Sequence, residues 1–81
     1  MDNKARIKEF LARFFRVAEL RDQDDIFALG FVNSLFAMQL VMFIESEFGV
    51  GVEDEDLEIA NFNTVDHINA FVARKRMAAG A

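Results

Sequence analysis

Residues 30–49 read GFVNSLFAMQLVMFIESEFG, a segment with a polar entrance, an apolar body and a glycine exit. Asn33 stands where a helix N-cap belongs and Gly49 where a C′ residue belongs, so the spacing predicts a helix over 34–48. Ala37, Leu40, Val41, Ile44 and Phe48 fall on one stripe of that helix and are its expected core face. Leu35, Met42 and Phe43 point roughly the opposite way, and Phe36 and Met38 lie on the flanks, so the first half of the helix is apolar nearly all round. Such a helix is either enclosed or offered to a partner.

Working outward, residues 4–20 carry Ile7, Phe10, Leu11, Phe14, Phe15 and Ala18 at three-and-four spacing, with Lys8, Arg13, Arg16 and Glu19 on the other side, the pattern of an amphipathic helix. The periodicity is lost over 21–33, RDQDDIFALGFVN, which predicts a long loop with Ile26, Phe27 and Leu29 tucked under the helices. Beyond Gly49, the extended link Val50-Gly51-Val52 leads into EDEDLEIANF, whose acidic start suits a short helix over 54–60 packed through Leu57, Ile59 and Phe62. Asn63 or Thr64 caps a last helix over 64–76, with Asp66 in its first turn, Arg74, Lys75 and Arg76 in its last, and Val65, Ile68 and Val72 on its inner stripe. The tail MAAGA is expected to fray. No strand-like alternation or repeat appears, so the expected fold is all-α: a four-helix bundle in a single domain over 1–81, with three longer helices, one short helix and a long first loop.

Composition narrows the function. The chain has no cysteine, which excludes disulfide staples and thiolate metal sites and suits a reducing cytoplasm. Its apolar share of 53%, including ten phenylalanines, supplies the core material that stapling would otherwise replace. No stretch has signal-peptide or membrane-span character, so a soluble cytoplasmic protein is expected. All nine Lys and Arg lie in 4–21 or 74–76, while Asp22 to Ala73 holds eleven acidic residues and no base. An anionic middle of that kind repels nucleic acid and anionic lipid and steers the protein towards basic partner surfaces.

Catalytic machinery is not evident. A serine nucleophile needs a base within reach, and His67, the one histidine, falls in the first turn of the last helix, where nothing ties it to Ser34. The run Glu53, Asp54, Glu55, Asp56 and Glu58 lacks the mid-loop glycine and the ligand spacing of an EF-hand, so no metal site is expected. The glycines match no phosphate-cradling loop. What remains is a serine at a helix start, where free amides and the positive end of the helix dipole would stabilise an anionic group attached to its hydroxyl. A residue so placed, without a catalytic neighbour, suits modification by another enzyme.

The segment resembles the acyl carrier proteins, whose motif is a loop ending in Gly-x-Asp-Ser-Leu or Gly-x-x-Asp-Ser-Leu followed by a helix of apolar, Glu and Leu positions, an acidic cluster and Phe. Gly30, Ser34, Leu35, Leu40, Val41, Ile44, Glu45, Glu47 and Phe48 align with it without a gap, and the downstream acidic patch, Thr64-Val65 and the final helix follow in order. The resemblance implies a four-helix carrier, not an enzyme, with 4′-phosphopantetheine esterified to Ser34, Asn33 as the cap beside it, and an acyl group held as a thioester on the arm. It implies a monomer that meets a phosphopantetheinyl transferase and acyl-loading and acyl-modifying enzymes through the second helix, here Phe31, Leu35, Phe36, Met38, Gln39, Met42, Glu45 and Glu47. Asn33 replaces the usual aspartate, and Phe36 and Gln39 stand where many fatty-acid carriers have acids. The phrase NSLFAMQLV is most similar to the small free-standing carriers of secondary metabolism that hold glyceryl-derived or alkoxymalonyl units for polyketide assembly, which implies a polyketide synthase acyltransferase among the partners and a place in antibiotic biosynthesis. D-alanyl carriers, fatty-acid carriers and a cofactor-free helical interaction module are the alternatives.

Overall fold

Asp2 opens the first helix: its carboxylate accepts the Ala5 N–H at 2.7 Å, satisfying one of the amides that a helix start leaves free. The computed structural model describes residues 2–14, 20–28 and 34–80, the side chains of 34, 79 and 80 excepted. Helix α1 spans Asn3–Leu11 and buries Ile7, Phe10 and Leu11. It is shorter than the expected helix over 4–20. The N–H groups of Arg13 and Phe14 bond the carbonyls of Phe10 and Leu11, three residues back, so the chain tightens out of α-geometry. Phe15, Arg16, Ala18 and Glu19 lie outside the described residues.

The acidic residues that follow build turns. Asp24 accepts the Arg21 N–H at 2.9 Å, and Asp25 accepts the N–H groups of Phe27 and Ala28 at 2.9 and 3.1 Å, so their side chains substitute for backbone acceptors. These turns drive Ile26 fully into the core, where its N–H reaches the Asn63 carbonyl at 2.6 Å. Phe27 packs at the edge of the same core, and Leu29 lies outside the described residues.

Helix α2 spans Ser34–Phe48 and ends where Gly49, at φ +67°, turns the chain and donates its N–H to the Glu45 carbonyl at 3.0 Å. Its inner face differs from the expected one. Phe36 is only 4% exposed and leads a row of buried residues, Phe36, Leu40, Ile44 and Phe48, while Ala37 and Val41 are half-buried. Phe43 also packs inward, its ring stacked on Phe10 with centroids 4.4 Å apart. Phe36 is therefore not a flanking, partner-facing residue. The cause lies on α1: Phe10 and Phe14 meet Phe36 at centroid separations of 6.3 and 5.1 Å, and packing the large rings together buries more apolar area than Ala37 and Val41 could.

After Val50 enters the core, a single 3₁₀ turn spans Asp54–Asp56 and a one-turn helix, α3, spans Ile59–Phe62. The expected helix over 54–60 is thus broken in two. Of its three expected packing residues only Phe62 is buried, its ring edge-on to Phe71 at 5.2 Å, while Leu57 and Ile59 are exposed. Leu57 and Ile59 are two residues apart, and no helix can turn both inward.

Helix α4 spans Val65–Gly80 and packs against α1, α2 and α3. Thr64 caps it, its Oγ1 accepting the His67 N–H at 2.9 Å, and Val65, Ile68, Phe71 and Val72 form its buried stripe. The helix runs through the tail that was expected to fray, so Arg74, Lys75 and Arg76 sit within it, not in its last turn. Two of the three have polar partners: Lys75 pairs with Asp56 at 2.7 Å and Arg74 donates to Asn61 at 3.0 Å, which ties α4 to the 3₁₀ turn and α3. Among the described residues all regular structure is helical.

Candidate functional site

Ser34 is the first residue of α2, a helix of fifteen residues, and no carboxylate stands in the first turn to oppose an anion there. The expected roles of Asn33 as cap and Phe31 as partner residue fall outside the described residues. Leu35 follows Ser34 and is exposed, and with Met38 and Met42 it forms a row at positions i, i+3 and i+7 along the outer surface of α2. Gln39 is half-buried at the wall of a groove of about 510 Å³ between α1 and α2, across from Phe10 and Phe14.

The two acids expected to read partners have internal duties. The Glu45 carboxylate accepts the Val52 N–H at 3.0 Å, so side chain and carbonyl of the same residue hold the turn that follows α2. Glu47 lies 3.7 Å from the Arg6 guanidinium on α1. Asp54, Glu55 and Glu58, beside Leu57 and Ile59, are among the carboxylates that form no salt bridge within the described residues.

The bases near the chain's beginning are absorbed in the same way. Lys8 and Lys4 bind Asp22 at 2.7 and 3.3 Å, and Lys4 also binds Asp66 at 2.7 Å, while the Asp66 N–H donates to the Asp22 carbonyl at 3.0 Å. This network clamps α1, the 20–28 segment and the start of α4 together. The hydrogen bond from Lys8, then that from Lys4, holds the Asp22 carboxyl below the usual carboxylate range, and the bonds to Asp66 and Asp22 raise Lys4. At the other end, Lys75 and then the Glu53 N–H lower Asp56, and Asp56 raises Lys75.

His67 is exposed, and its Nδ1 meets Asn63 Oδ1 at 2.7 Å; the Asn63 amide in turn donates to Asp25 at 3.3 Å. The ring thus belongs to the junction between the 20–28 segment and α4. Among the described residues no three His, Asp or Glu side chains come together as metal ligands, and no helix is long and apolar enough to cross a membrane.

Leu57 and Ile59 are the surface residues that the sequence expectations missed. The available signal was their two-residue spacing, which does not fit a helical inner stripe.

The family model described as the phosphopantetheine attachment site matches residues 5–72. A search of the curated proteins finds no match.

Proposed function

The chain belongs to the phosphopantetheine attachment family, and on that premise we propose that Ser34 bears the arm and that the cargo is a small acyl unit of the alkoxymalonyl type used in polyketide extension. A member of this family is a carrier and not a catalyst, and is the site of covalent 4′-phosphopantetheine attachment. When attached, the arm supplies a thiol that holds an acyl group as a thioester.

The observation that carries the assignment of Ser34 is an elimination among hydroxyls. The chain has two serines and one threonine. Ser46 lies inside α2, with its helix neighbours on both sides, and Thr64 is buried with its oxygen committed to the His67 N–H. Thr64 also opens a long helix, but Asp66 stands in its first turn, whereas at Ser34 the amides and dipole favour a phosphodiester and no acid of the first turn repels it. These features fit the group. The exposed row Leu35, Met38 and Met42 leaves the surface beside Ser34 apolar, which suits enzymes that recognise the carrier through shape and contact.

The cargo reading rests on the similarity of NSLFAMQLV to carriers of glyceryl-derived units. Intact mass after incubation with coenzyme A and a broad phosphopantetheinyl transferase tests the attachment: one arm is expected on the wild type and on Ser46→Ala, and none on Ser34→Ala. An arm that persists on Ser34→Ala overturns the assignment. Loading of the modified protein by a glyceryl-transferring enzyme, and not by a D-alanine ligase, is the outcome expected for the cargo.

A further inference from the structure

The groove of about 510 Å³ between α1 and α2 is built differently from the hollows on the other side of α2. Its floor is aromatic: the rings of Phe10 and Phe43 stack at 4.4 Å, and Phe14 lies 5.2 Å from Phe10. Its rim is polar. Arg13, Gln39, Ser46 and Glu47 line it, and the Arg13 guanidinium lies over the Phe10 ring, 6.0 Å from the centroid. An apolar hollow edged by a few polar groups is the usual form of a small-molecule site.

Two of the rim groups are uncommitted. Among the described residues Arg13 forms no salt bridge, and neither its guanidinium nor the Gln39 amide makes a hydrogen bond. Glu47, the acid of the rim, lies 3.7 Å from Arg6, so part of its charge is cancelled within the fold. The groove therefore offers a planar cation and an amide N–H₂ donor beside its aromatic floor, the groups that bind a carboxylate.

The hollows on the α3 side of α2 lack that chemistry. One, of about 420 Å³, is lined by Ala37, Met38, Val41, Met42 and Leu57, and contains no charged group. The other, of about 160 Å³, is bounded by Leu40, Ile59 and Phe62, and its one charged residue is the acid Glu58. A carboxylate entering either would lose water without gaining a partner. The same carboxylate in the α1–α2 groove meets Arg13.

Reach connects the groove to Ser34. Gln39 is five residues beyond Ser34, about 7.5 Å along α2. The main chain of a phosphopantetheine arm is as long as about four extended residues, about 13 Å. A group on its thiol thus comes within range of Gln39. Tethering also holds that group at an effective concentration in the millimolar range, which populates a contact too weak to retain the same acid free in solution.

We propose that the α1–α2 groove cradles the acyl unit on the chain's own arm, with Arg13 and Gln39 binding a free carboxylate of that unit over the rings of Phe10, Phe14 and Phe43. The inference rests on the assignment of Ser34 as the modified residue and deepens it by fixing the class of cargo as a dicarboxylic unit linked through one of its two carboxyls. A broad phosphopantetheinyl transferase installs malonyl- or acetyl-bearing arms on the full chain directly from malonyl-coenzyme A or acetyl-coenzyme A, and intact mass verifies each product. Isotope-labelled protein in the two forms is then compared by proton–nitrogen NMR. Malonyl and acetyl differ by one carboxylate, so this comparison needs no substitution. The Arg13 Nε–H and Gln39 side-chain amide resonances are expected to move in the malonyl form relative to the acetyl form. In malonyl-loaded Arg13→Gln, altered at an exposed position, the displacement at Gln39 is expected to fall about fivefold.

Wild-type protein left without an arm at Ser34 overturns the Ser34 assignment and this cradle with it. Wild-type protein that is loaded, with the same spectrum in its malonyl and acetyl forms, overturns the cradle alone. So do malonyl-specific shifts centred on Leu40, Ile59 and Phe62, which would place the cargo on the α3 side. A Gln39 displacement unchanged in Arg13→Gln also overturns it, since Arg13 would then not be what holds the carboxylate.

Discussion

The rings of Phe10 and Phe43 stack between α1 and α2, with centroids 4.4 Å apart and planes inclined by 15°. That contact sets the rotation of α2. With Phe43 turned towards α1, Phe36 enters the core beside Phe10 and Phe14, and the row Leu35, Met38 and Met42 is carried to the outside. The exposed row is thus a consequence of how an aromatic cluster packs two helices away from it.

Phe36 is the sharpest test of this rotation. Phe36→Ala removes a ring from a packed cluster and is expected to cost about 3–5 kcal/mol in urea unfolding. Phe36→Asp places a charge at a site only 4% exposed and is expected to abolish cooperative unfolding at neutral pH. Met38→Asp, two residues on and on the outer surface, is expected to change stability by less than about 1 kcal/mol. Equal sensitivity at the two positions would mean that α2 is not rotated as described.

Much of the scaffold was legible in the sequence because its signals are local. Gly49 ends α2 at a positive φ that glycine adopts without strain, and Val65, Ile68 and Val72 repeat at helical spacing between a cap and a charged outer face. The rotation of α2 was not legible. A helix apolar nearly all round has no unique inner stripe, and the choice between Ala37 with Val41 and Phe36 with Phe43 is made by Phe10 and Phe14, more than twenty residues earlier in the chain. The extent of α4 was obscured differently. Arg74 and Lys75 resemble a C-terminal dipole pair, yet they reach Asn61 and Asp56, and the alanines beyond them continue the helix because alanine is the strongest helix former. In the candidate site, the start of a helix at Ser34 was legible, whereas the exposure of Leu57 and Ile59 depends on a break into a 3₁₀ turn and a separate helical turn.

Gly49 and Gly51 separate backbone strain from crowding. A Cβ at Gly49 would meet nothing within 4 Å, so the cost of Gly49→Ala comes from its φ of +67° alone. That cost is expected to be about 1–2 kcal/mol. At Gly51, where φ is not positive, an added Cβ would lie 3.8 Å from Glu53 Oε1, an ordinary contact, and Gly51→Ala is expected to be close to neutral. Thermal melts of the two variants measure the difference directly.

The ion pairs predict how stability depends on pH. Asp22 and Asp56 are held below their ordinary range, so the unfolded chain takes up protons at a higher pH than the native one. Their contribution is complete above about pH 5 and is lost as pH falls through the native-state values. Lys4 and Lys75 are raised, so their contribution is present below about pH 10 and is lost as pH climbs through the native-state values. Urea midpoints measured from pH 7 down to pH 2 should decline less steeply in Asp22→Asn/Asp56→Asn than in the wild type. Parallel curves would show that neither pair contributes.

The acids of α2 and those of the 3₁₀ region should differ in what they contribute to transfer of the arm. Glu45 is occupied by the Val52 N–H and Glu47 faces Arg6, so part of the field of each is spent within the fold. Among the described residues Asp54, Glu55 and Glu58 form no salt bridge, and Glu55 acts on Lys75 only at longer range, so their field extends to an approaching surface. Glu45→Gln/Glu47→Gln is therefore expected to lower kcat/KM for a broad phosphopantetheinyl transferase by less than about twofold, whereas neutralising the three outer acids lowers it several-fold at low salt and little at high salt. Rates measured across an ionic-strength series distinguish the two sets. If the α2 pair proved the more sensitive, recognition would run along α2 itself, as in carriers read through salt bridges, and the outer acids would serve the solubility of the chain instead.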